Sequence, residues 1–79
     1  MKAGFVMLIK EIIALCGGES EVTYRLGFVN VYVVRRWETH AIPLRHWPAL
    51  IAIACENGAG LTGEDLWQAC KPLVEKIQD

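Results

Sequence analysis

Tyr32, Arg35 and Arg36 lie three and four residues apart, the spacing that gathers side chains on one face of a helix. Those residue types suit contact with base edges in a DNA groove. An arginine can lay its planar fork across O6 and N7 of a guanine, and a tyrosine offers a hydroxyl together with an apolar ring. Just upstream, Asn30 is a good helix cap, and Val31 carries methyl groups of the kind that can touch a thymine methyl. The plainer reading of the same spacing is an ordinary solvated helix face.

Other chemistries find less support. His40 and His46 are six apart, with no cysteine or acid at ligand spacing, so no zinc site is expected. Cys16, Cys55 and Cys70 are far apart, and an odd count without a secretion signal suggests reduced thiols used as small apolar residues in the cytoplasm. Nothing resembles a nucleophile motif, so we expect no catalysis, no cofactor and no small-molecule substrate. Trp37, Trp47 and Trp67 read as core anchors rather than a stacking platform for single strands.

Five helices are needed to position the Tyr32–Arg36 face. Phe5, Leu8, Ile9, Ile12, Ile13 and Cys16 recur at helical spacing, with Lys10, Glu11 and Ala14 opposite, and Gly17-Gly18 stops this first helix. A second begins at Glu19 or Ser20, with Ser20 as cap or first-turn residue. It turns Val22 and Leu26 inward and ends at Gly27. The stretch Phe28 to Val34 has strand-like composition. On a helix capped by Asn30, however, Val33, Val34 and Trp37 share one side, and Tyr32, Arg35 and Arg36 share the other. A strand would instead mix valines and arginines on both faces, so helix is the better partition.

Ala41-Ile42-Pro43 reads as a turn, with Pro43 and Pro48 near the start of helix four. Trp47, Leu50, Ile51 and Ala54 form its inward stripe, while Ala49 and Ile53 fall off it. That helix is therefore apolar nearly all round, as expected for burial on two sides. Asn57-Gly58 ends it. Thr62 and Asp65, just ahead of Leu66-Trp67, mark the start of helix five, which Pro72 should kink or end.

With 79 residues, 53% of them apolar, the chain is one domain with enough apolar surface for a core and some left over for a second copy of itself. No segment has the length of a membrane span or the form of a signal peptide. Net charge is −1, but it is unevenly spread. The stretch Thr23 to His46 holds Arg25, Arg35, Arg36 and Arg45 against Glu38 alone, leaving about +3 there and −4 elsewhere. Such asymmetry can mark a basic face.

The string Gly17-Gly18-x-Ser20, Leu26-Gly27, Val34, Trp37 and then Ile42-Pro43-x-Arg45-His46-Trp47-Pro48-x-Leu50 resembles the small Cro-type helix-turn-helix regulators of phages and prophages. The likeness continues through Gly60-Leu61-Thr62 to Leu66, covering most of the chain after helix one. Its most specific part is the Ile-Pro-x-Arg-His-Trp-Pro stretch.

The resemblance implies an all-α five-helix bundle of the lambda-repressor-like fold, one domain over residues 1–79. The helix-turn-helix would span about 19–38, with helices four and five in 43–78. It further implies a homodimer on a double-stranded operator. By position, Asn30, Val31, Tyr32 and Arg36 would read bases, and Ser20, Arg25, Arg35, Arg45 and His46 would hold phosphates. The expected dimer contact is helix five and the tail, through Trp67, Leu73, Val74 and Ile77. The alternative is a protein-interaction module on the same fold that has lost DNA binding. Its supports are the low net charge, the apolar fourth helix and the valine-rich third.

Overall fold

The first apolar stripe decides how the chain begins to pack. In the computed structural model, which describes the backbone of residues 7–78 and the side chains of residues 7–75, α1 (Ile9–Leu15) buries Ile9, Ile12 and Ile13 and extends the stripe into Cys16. Leu8, expected on that stripe, is 55% exposed. Its extended backbone, at φ −84° and ψ 156°, takes it off the helical period. The Leu8 N–H donates to Glu11 Oε1 at 2.7 Å, half of a capping box. Phe5, expected on the same stripe, lies outside the described residues.

After the Gly17-Gly18 turn comes α2 (Glu19–Leu26), which places Ser20 in the first turn rather than at the cap. Val22 is fully buried, and Thr23 Oγ1 donates to the Glu19 carbonyl at 2.7 Å. Gly27 ends the helix at φ 77°. There the Phe28 N–H reaches back to the Thr23 carbonyl at 3.0 Å and the Gly27 N–H to Tyr24 at 3.2 Å. This double closure requires a left-handed residue between its two bonds, which glycine supplies without Cβ strain.

The valine-rich stretch is helical. It forms α3 (Tyr32–Arg35) and α4 (Trp37–His40), separated by Arg36, whose backbone stays helical at φ −65° and ψ −20°. Val34 and Trp37 are buried while Tyr32, Arg35 and Arg36 are exposed, the partition the helical reading required. Val33 is a correction: expected inward, it is 37% exposed. The segment opens with tight three-residue bonds, Val33 N–H to Asn30 and Val34 N–H to Val31, and such overwinding shifts side-chain phase away from 100° per residue.

Ala41 turns the chain at φ 73°, a left-handed value for a residue with a Cβ. A short 3-10 turn, Leu44–His46, leads into α5 (Trp47–Glu56), and Pro48 lies in the first turn of α5. Trp47 Nε1 donates to the Ile42 carbonyl at 3.0 Å, bracing this corner. Leu50, Ile53 and Ala54 are buried, with Trp47 and Ile51 half-buried, so α5 is covered on more than one side.

Thr62 and Asp65 then cap α6 (Gly63–Gln78) reciprocally. The Asp65 N–H donates to Thr62 Oγ1, and the Thr62 N–H to Asp65 Oδ2, each at 3.1 Å. Pro72 does not end α6, which runs on to Gln78. Pro72 is exposed, and its ring removes the N–H that would otherwise bond the Gln68 carbonyl.

With α3 and α4 taken as one interrupted segment, five helical bodies enclose a core centred on Ile12, Cys16, Val22, Val34, Leu50 and Leu66. The described residues include no strand.

Candidate nucleic-acid interface

The corner between α2 and α3 presents the residues singled out in the sequence. Asn30 Oδ1 accepts the Tyr32 N–H at 2.9 Å, so this side chain caps the helical segment. Its amide group stays available, but a two-pronged grip on adenine would compete with the cap. Val31 is half-buried, and Tyr32 stands 62% exposed. One turn on, exposed Arg36 lines a shallow groove with Val33, His40, Ala41 and Pro43.

Arg35 turns towards α2 instead. Its Nη2 lies 3.0 Å from Glu19 Oε1, and its Nε donates to both oxygens of that carboxylate, at 3.2 and 3.4 Å. Its guanidinium carbon also sits 5.1 Å from the centre of the Tyr32 ring. Arg25 is held by Glu56 at 2.9 Å and approached by Glu21 at 3.7 Å. These bonds strengthen the protonated forms of both arginines and hold the Glu56 carboxyl below its usual range. Two of the four arginines in the basic stretch are thus paired with acids from outside it. Arg36 and Arg45 make no ion pair among the described residues.

His46 is half-buried beside two aromatic rings, with centroids 5.3 Å from Phe28 and 5.6 Å from Trp37. Burial and then the neighbouring Arg45 charge lower its pKa from the ordinary histidine value. It packs the corner beside those two rings. Ser20 and Arg45 are exposed, Ser20 on the first turn of α2 and Arg45 in the 3-10 turn.

The expected dimer residues divide. Trp67 is 41% exposed and faces Leu44, 70% exposed, across an apolar groove that also touches Trp47, Cys70 and Val74. Leu73 packs partly against the core, and the Ile77 side chain lies outside the described residues.

The sequence reading passed over Val29 and Tyr24, which are 97% and 81% exposed. Val29 precedes the Asn30 cap and so belongs to neither helix. That position, between a helix-ending glycine and a capping residue, was the available signal. Cys16 and Cys70 are buried, which raises their thiol pKa values and leaves them inert, while Cys55 is exposed on α5.

No group of three or more His, Cys, Asp or Glu among the described residues is placed to hold a metal. None of the described helices is long and apolar enough to cross a membrane. Compared with known proteins, the chain matched no family model, no curated protein and no solved structure.

Proposed function

We propose that this chain is a transcriptional regulator of the phage or prophage kind that binds double-stranded DNA by sequence. In this reading α2 and the α3–α4 segment form a helix-turn-helix, and the N-terminal part of α3 enters the major groove. One observation carries it. Tyr32 and Arg36 stand exposed on the side of the segment away from buried Val34 and Trp37, directly after a closed glycine corner. Arg36 is the best candidate for a guanine contact, with Tyr32 and Val31 beside it, and Asn30 fixes the turn that presents them. Arg45 and Ser20 are exposed phosphate candidates with no competing acid partner among the described residues. Arg25 and Arg35 can join them only by leaving Glu56 and Glu19.

The regulator would act in the cytoplasm as a homodimer joined through Trp67, Leu73, Val74 and Ile77. Two recognition segments would then lie about 34 Å apart on a near-palindromic operator. Neutralised Arg25 and Arg35, with the apolar Leu44–Trp67 groove, favour a second reading: a protein-interaction module that has given up DNA. Selection from a random duplex pool at two salt concentrations separates the two. A short palindrome whose recovery falls steeply with salt supports the operator-binding dimer. Flat recovery at both salts rejects it in favour of the module.

A further inference from the structure

We infer that Val29 recognises the C5-methyl group of a thymine, an inference that rests on the DNA-binding reading above. Its side chain is 97% exposed, so the fold gains nothing from a valine there. Yet the backbone that carries it is fixed on both sides. Upstream, the Gly27 closure holds the chain, and the Phe28 ring packs edge-on against buried Trp37, with centroids 5.9 Å apart. Downstream, Asn30 Oδ1 binds the Tyr32 N–H. A β-branched side chain adds its own stiffness at χ1. Val29 is therefore an apolar group held firmly at the tip of the corner, next to exposed Asn30 and close in sequence to exposed Tyr32.

Val29 lies just ahead of the N-terminal end of the recognition segment, the end that reaches base edges. Valine has neither donor nor acceptor, and among major-groove base edges thymine stands out by its apolar methyl. Valine is also shorter than the Phe, Leu, Ile and Met side chains that wedge between base steps. Methyl-to-methyl contact is the interaction that remains.

The test replaces thymine by deoxyuridine, which lacks only that methyl, one position at a time in the selected duplex. The wild-type chain should bind about three- to tenfold more weakly at one position of each half-site, the effect of losing one buried methyl contact. Val29→Ser should bind the parent duplex more weakly by a similar factor and show no deoxyuridine effect at that position, with an unchanged melting temperature. Wild-type indifference to deoxyuridine throughout, or an undiminished effect in Val29→Ser, overturns the assignment while leaving DNA binding in place. If no duplex is selected at all, both readings fall together.

Discussion

Arg35 and Glu19 form a two-pronged ion pair between the first turn of α2 and the last residue of α3, closest at 3.0 Å. Both side chains are partly open to water, at 52% and 31% exposure, so the pair adds little to stability. If the chain binds DNA as proposed, the pair's larger effect is on which cations remain for phosphate. Glu19→Gln would remove the competitor without removing Arg35. We expect tighter duplex binding at low salt and a salt slope steeper by about 0.9, one further phosphate contact. Unchanged affinity and slope would show that Arg35 only braces α2 against α3.

Arg36 has no such competitor among the described residues, and its expected behaviour differs. Arg36→Ala should cost about 1–3 kcal/mol of binding and relax preference at a single base position. A uniform loss across all sequences, read from the same competition assay, would make it a phosphate contact instead.

His46 links stability to pH. Its folded-state pKa lies below the ordinary value because burial, and then Arg45, disfavour the imidazolium. The unfolded chain therefore takes up the proton first, and stability should fall as pH drops through about 6.5 towards the lower folded value. His46→Phe keeps a ring beside Phe28 and Trp37 but cannot titrate. Its melting temperature should vary less with pH between 7 and 5 than the wild type's, as followed by circular dichroism. Parallel curves for the two proteins would place the titrating group elsewhere.

Gly27 carries the corner at φ 77°, with open space where a Cβ would project. Gly27→Ala should thus meet backbone strain rather than a clash, destabilising the fold by about 1–2 kcal/mol. Gly27→Asn should cost less, because asparagine tolerates the left-handed region. Urea denaturation of the two variants gives the comparison directly, and equal losses would rule out strain as the cause.

These residues also mark how far the sequence could be read. Helix stops at Gly17-Gly18, Gly27 and Asn57-Gly58, and the reciprocal Thr62–Asp65 cap, depend on neighbours within a few positions. Local spacing states them openly. The same holds for the helical sorting of Val34 and Trp37 against Tyr32, Arg35 and Arg36. What spacing could not supply is pairing at a distance. Arg25 meets Glu56 from 31 residues away and Arg35 meets Glu19 from 16, so a charge asymmetry counted along the chain is partly cancelled in space.

His46, expected at the surface as a phosphate contact, is half-buried against Phe28 and Trp37, a long-range packing that spacing does not state. Val33 and Leu8 were misplaced for a smaller reason: helical phase slips where a helix opens tightly or has not yet begun. Pro72 was expected to kink or end α6; the helix continues past it to Gln78, with the ring exposed to water.

The uneven burial of the three thiols gives the molecule a built-in reporter. With Cys16 and Cys70 enclosed and Cys55 alone on the surface, a maleimide spin label should attach once per chain, on the solvent side of α5. Two copies brought together through α6 would then give a single label-to-label distance, with the same position marked on each copy. Assembly could be measured in solution without changing one residue.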